Sequence, residues 1–96
     1  MKQKNVVILG GGESGVGATR LEDEKGYNVF LSEKKKLSEE NRYELEKNKI
    51  FYEEGLHTES IILGADLIIK SPGIPESAPI MEAVRLEHID VISEIE

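Results

Sequence analysis

Asn5-Val6-Val7-Ile8-Leu9-Gly10-Gly11-Gly12-Glu13-Ser14-Gly15-Val16-Gly17 is the stretch whose reading decides the fold. The aliphatic run reads as a strand buried on both faces, because a strand with one wet face would alternate with polar residues. Five of the nine glycines in the 96-residue chain follow at once, with G-x-G-x-x-G at Gly10, Gly12 and Gly15. In a strand–turn–helix context each of the three has a use. Gly10 permits a tight turn, Gly12 admits a phosphate close to the backbone, and Gly15 lets the coming helix pack near the strand. Unpaired N–H groups at the start of that helix, with the positive end of its dipole, suit a pyrophosphate.

Outward from this stretch, apolar blocks alternate with helical segments. Val29-Phe30-Leu31, closed by Ser32-Glu33, is a second strand, Ile50-Phe51-Tyr52 a third, Asp66 to Lys70 a fourth and Val91-Ile92 a fifth. Between them, Gly15 to Lys25 reads as a helix ended by Gly26, with Val16, Ala18 and Leu21 as its apolar face. Ser38 caps a second helix running to Asn48. Thr58 caps a short one over Glu59–Leu63, and Pro79 sits in the first turn of a fourth over Ala78–Glu87. Its Ile80, Ala83 and Val84 share one face. The resulting βαβαβαβαβ order predicts a Rossmann-like, doubly wound α/β fold: a parallel five-stranded sheet, order 3-2-1-4-5, with helices on both faces. Residues 1–96 read as one domain, and the stop after Ile95-Glu96 reads as a cut between domains.

Composition narrows the function. Nineteen acids against twelve bases give a net charge of −7, which offers no general footprint for nucleic acid or an anionic membrane. The longest aliphatic run, Val6 to Leu9, is far short of a membrane span. The absence of cysteine removes disulfides, thiolate metal sites and a thiol nucleophile. No Gly-Lys-Ser/Thr occurs, so the glycine loop is not of the ATP-cradling kind. A cytoplasmic, soluble domain is expected.

Glu33 stands 18 residues beyond Gly15, at the tip of the second strand. There an acid accepts either ribose hydroxyls or the N3–H of a uracil. Lys34, Lys35 and Lys36 follow and could lie over a base or near a phosphate. Ser71-Pro72-Gly73-Ile74-Pro75 follows the fourth strand, across the point where successive connections leave in opposite directions and ligands bind. His57 and His88 read as surface residues in polar surroundings. Glu39, Glu40, Glu44 and Glu46, interleaved with Arg42 and Lys47, read as a solvated helix face.

Val6 to Gly17, Val29 to Glu33, Ala65 to Pro75 and Val91 to Glu96, in this order and spacing, resemble the N-terminal domain of the Mur ligase family. Within it they are most similar to the UDP-N-acetylmuramoyl-L-alanine:D-glutamate ligases (MurD). The D-L-I-I-x-S-P-G-I-P segment at Asp66–Pro75 is the most specific part. The resemblance implies a cytoplasmic, ATP-dependent amide ligase of peptidoglycan synthesis. Such an enzyme activates the carboxylate of UDP-N-acetylmuramoyl-L-alanine as an acyl phosphate, which the amine of D-glutamate attacks. ATP and Mg²⁺ would bind a central domain, and D-glutamate mainly a C-terminal one. Neither is in these 96 residues, which would bind the UDP part of the substrate, catalyse nothing and hold no cofactor or metal. By position, Gly12, Glu13, Ser14 and Gly15 would meet the pyrophosphate. Glu33, one methylene longer than the family's aspartate, would meet the uracil, with Lys34 as its neighbour. Lys35 would lie over the ring, and Gly73 would close the pocket. The readings left beside this one are an NAD(H)-binding redox or sensing domain and a Rossmann-like domain serving protein contacts.

Overall fold

In the computed structural model, which describes residues 3–93, every strand runs parallel to its neighbours. The elements are β1 (Asn5–Leu9), α1 (Gly12–Glu24), β2 (Asn28–Glu33), α2 (Glu39–Lys47), β3 (Phe51–Glu54), α3 (Glu59–Ile62), β4 (Leu67–Lys70), α4 (Pro79–Leu86) and β5 (Asp90–Ile92). The sheet order is β3-β2-β1-β4-β5, as the sequence predicts. Ile95 and Glu96, where the sequence suggests a cut between domains, lie outside the described residues.

Alternation along β1 divides the core in two. Val6 and Ile8 face one side, where Val16 of α1 and Leu45 of α2 join Val29, Leu31 and Ile69. Val7 and Leu9 face the other, against Ile62 of α3, Ile68, and Ile80, Met81 and Val84 of α4. Helices thus cover both faces of the sheet, as right-handed crossovers on either side of β1 require. In register, Val7 lies between Phe30 and Ile68, and Leu9 between Ser32 and Lys70. The strand tips that bear Glu33 and Lys70 therefore end level with the glycine turn.

Several local expectations change. Helix α1 begins at Gly12, not Gly15, and its buried face is Gly15, Val16, Thr19 and Glu22. Leu21, expected in the core, is 53% exposed. The face can be partly polar because each polar group is answered: the Thr19 hydroxyl donates to Gly15 O at 2.7 Å. The Lys25 Nζ lies 2.9 Å from the Glu22 carboxylate. Thr58 holds the N-cap position of α3 without capping it through its side chain, whereas the Ser38 hydroxyl does accept from Asn41 N. Strand β3 runs later than expected, to Glu54, because Ser32 and Glu33 continue β2 and pair with Glu53 and Glu54. Asp66 falls just outside β4, where its carboxylate accepts from Asn5 N at 2.8 Å.

Candidate functional site

At the carboxyl ends of the strands a cleft of about 1150 Å³ is bounded by the turn after β1, the loops after β2 and β4, the start of α4 and the corner after β3. The β1 turn is made by Gly10, Gly11 and Gly12, with φ of 71°, 94° and 54°. Three successive left-handed residues are tolerated because none carries a Cβ. The turn folds α1 so tightly onto β1 that a Cβ on Gly15 would stand 2.1 Å from Gly10 O.

These positions fix which amides are free. Gly15 N donates to Gly11 O at 3.0 Å, and neither Gly15 nor Ser14 lines the cleft. Gly15 is thus the packing glycine of the turn, with its N–H turned to Gly11 O. Helix geometry leaves the N–H groups of Glu13 and Ser14 without an intrahelical acceptor. Gly12 N points at Glu33, donating to Oε2 at 3.4 Å.

Glu33 is buried at the foot of the cleft, and its other oxygen accepts from Lys35 N at 3.2 Å. Glu54, its partner on β3, accepts from Leu37 N at 2.6 Å. Two carboxylates thus hold the main chain of Lys34–Leu37 in place, while the three lysine side chains stay exposed on the rim.

The loop after β4 is held from beneath by Lys70, a residue the sequence reading passed over. It is only 4% exposed, and its Nζ donates to Ile74 O at 2.8 Å and Ser71 O at 3.3 Å. A buried ammonium needs such acceptors, since an unanswered charge there would be very costly. The Ser71 hydroxyl accepts from Gly73 N, which sets the turn. Ile74 leans against Gly10, so that a Cβ there would meet its Cδ1 at 3.2 Å. The two loops thereby form one wall. The sequence signal for Lys70 was a charge closing an otherwise apolar strand.

A second cluster missed in the sequence sits at the β3–α3 corner. The Ser32 hydroxyl, fully buried, donates to Glu53 Oε2 at 2.7 Å, and His57 Nδ1 lies 2.7 Å from Ser32 Oγ. Glu53 also accepts from Thr58 N at 2.7 Å and from the Thr58 hydroxyl. Burial pushes the Glu53 carboxyl up, but the Thr58 and Ser32 hydrogen bonds outweigh it and hold the group below its usual value. His57 is not a plain surface residue: it is half-buried and lines the cleft. His88 is exposed, with a φ of 55° at the end of α4.

Of the residues singled out from the sequence, Gly12, Glu13, Glu33, Lys34, Lys35 and Gly73 line this cleft together. Among the described residues no group of three or more His, Asp or Glu gathers as metal ligands would. No described helix is long and apolar enough to cross a membrane.

Residues 5–80 match the family model of the MurD N-terminal domain. The chain is 54% identical over all its 96 residues to UDP-N-acetylmuramoylalanine--D-glutamate ligase of Cytophaga hutchinsonii, covering 21% of that protein. It is 51% identical over 92 residues, 96% of its length, to the ligase of the same name from Porphyromonas gingivalis, covering 20% of it. The chain thus spans about a fifth of these relatives. Among solved structures, it is similar to UDP-N-acetylmuramate:L-alanyl-gamma-D-glutamyl-meso-diaminopimelate ligase from Neisseria meningitides. There the TM-score is 0.80 at 22% identity, over 96% of this chain and 29% of that one. UDP-N-acetylmuramate-alanine ligase MurC from Thermotoga maritima gives 0.77 at 23% identity, over 93% and 20%. At these identities the two structures speak for the fold alone.

Proposed function

The chain belongs to the MurD N-terminal domain family, and we propose that its cleft binds the uridine diphosphate part of UDP-N-acetylmuramoyl-L-alanine. The domain would serve a cytoplasmic, ATP-dependent ligase that adds D-glutamate to that substrate in peptidoglycan synthesis. One observation carries this reading. The amides at the start of α1, the Glu33 carboxylate and the Gly73 turn bound a single cleft, although they come from three separate loops. The N–H groups of Glu13 and Ser14 supply positive potential for a diphosphate in an otherwise acidic chain. Glu33 keeps acceptor capacity beyond its two backbone contacts, since an ionised carboxylate offers about four lone-pair sites. It can take the imide N–H of a uracil, with Lys34 beside it and Lys35 over the ring.

ATP, Mg²⁺ and D-glutamate are assigned to the parts of the relatives that these 96 residues do not span, so the chain by itself binds and does not turn over. The test is a calorimetric and NMR titration of the chain with UDP-N-acetylmuramoyl-L-alanine, UDP, NAD⁺ and ATP. Weak binding of the two uridine ligands is expected, with shifts at Gly12, Glu13, Ser14, Glu33 and Gly73. Gly12→Trp should abolish it, because a Cβ built there meets open space and the ring would enter the cleft. Its φ of 54° strains the variant, so circular dichroism checks that it is folded before binding is compared. Tighter binding of NAD⁺ than of UDP would overturn the assignment.

A further inference from the structure

The Ser32–Glu53–His57 cluster determines which ring nitrogen of His57 carries a proton. Glu53, held below its usual pKa by its hydrogen bonds, is ionised at neutral pH and can only accept. The single hydroxyl proton of Ser32 therefore goes to Glu53 Oε2 at 2.7 Å, and Ser32 Oγ must accept from His57 Nδ1–H. Burial holds the imidazolium pKa below its usual value, although Glu53 and Glu33 pull the other way. At pH 7 the ring is neutral, and its remaining nitrogen, Nε2, is a bare acceptor. Among the described residues Nε2 has no hydrogen-bond partner, and His57 lines the cleft with Glu33 and Lys34, near enough for both charges to act on its ring.

We propose that His57 contacts the ligand directly, its Nε2 accepting an N–H or O–H from the nucleoside end of a uridine nucleotide beside the Glu33 carboxylate. The inference rests on the uridine-nucleotide reading of the cleft. Two acceptors in one cleft, one charged and one neutral, suit a nucleoside that offers two donors. A uridine has such a pair in its imide N–H and its ribose hydroxyls. Ser32 and Glu53 are positioning residues: they fix the tautomer and leave the contact to His57.

The experiment measures the affinity of the wild-type chain and of His57→Phe for UDP, N3-methyl-UDP and 2′-deoxy-UDP. His57→Phe is expected to weaken UDP about tenfold, the worth of one good hydrogen bond. It should also be indifferent to whichever analogue lacks the donor that His57 receives, the methylated base or the deoxy sugar, which identifies that donor. An unchanged UDP affinity in His57→Phe, with the wild type binding, overturns the His57 contact and leaves the uridine site standing. No UDP binding by the wild type removes both. Should the variant fail to fold, histidine-ring ¹⁵N NMR of the wild type decides instead. The free chain is expected to show a protonated Nδ1 and an unprotonated Nε2, with Nε2 shifting on UDP addition. A static Nε2 at saturation, or the opposite tautomer, overturns the proposal.

Discussion

The glycine turn after β1 and the corner after β3 face the same cleft and are built in opposite ways. In the turn the working groups are main-chain amides, and the side chains are removed so that backbone can approach backbone. In the corner the backbone turns at a single left-handed glycine, Gly55 (φ 87°), which has no close neighbour. There Ser32, Glu53, His57 and Thr58 hold one another by hydrogen bonds between side chains. A site of the first kind is fixed by sterics and is intolerant of an added atom where backbone meets backbone, as at Gly15. One of the second kind is fixed by pairing and protonation, so it yields gradually and answers to pH.

The harshest way to test that contrast is Gly15→Val. With Gly10 O at 2.1 Å from even a Cβ, either the turn or α1 must move. A loss of about 3 kcal/mol or more is expected, enough to leave little folded chain. Urea denaturation followed by circular dichroism measures it. A variant as stable as the wild type would show that the close approach is not needed.

Ser32→Ala attacks the other side more mildly. It leaves His57 Nδ1 without its acceptor and takes one donor from Glu53, at a cost of about 1–3 kcal/mol. Amide chemical shifts at Gly11 and Gly12 should stay put while those of Glu53–Thr58 move; Gly10 is set aside because its N–H donates to Ser32 O at 2.8 Å. Shifts spread evenly over both regions would mean that they are not separate devices.

The smallest effect is the dependence on pH. Folded His57 and folded Glu53 both have lowered pKa values, so the unfolded chain binds more protons and acid favours unfolding. The contribution of His57 is fully present above its unfolded value of 6.5 and is lost as pH falls from there towards the folded value. That of Glu53 is present above 4.5 and is lost below it in the same manner. In Ser32→Ala the acid limb of the urea midpoint should be shallower, because a donor that stabilised the ionised Glu53 is gone. Parallel limbs would separate Glu53 from the pH response.

The same contrast governs what could be read from the sequence. Gly10, Gly12 and Gly15 announce the turn because the letters themselves carry the sterics, and β1, β2 and β4 are legible as strands buried on both faces. Glu33 and Gly73 follow from their places at strand ends. Ser32 and Glu53 are 21 residues apart, and nothing in either stretch marks them as partners. They meet only once β3 pairs with β2 in a particular register. His57 looked like a surface residue because its partners are not its sequence neighbours. Leu21 failed for a simpler reason: hydrophobicity alone placed it inside. Helix phase put Thr19 and Glu22 there instead, each with its own partner.

The rim formed by Lys34, Lys35 and Lys36 has a kinetic meaning. Three ammonium groups crowd one end of a body whose net charge is −7, so the chain has a strongly uneven field. A polyanion diffusing nearby is repelled over most of the surface and funnelled to the cleft mouth. Added salt should therefore slow its arrival far more than it hastens its departure.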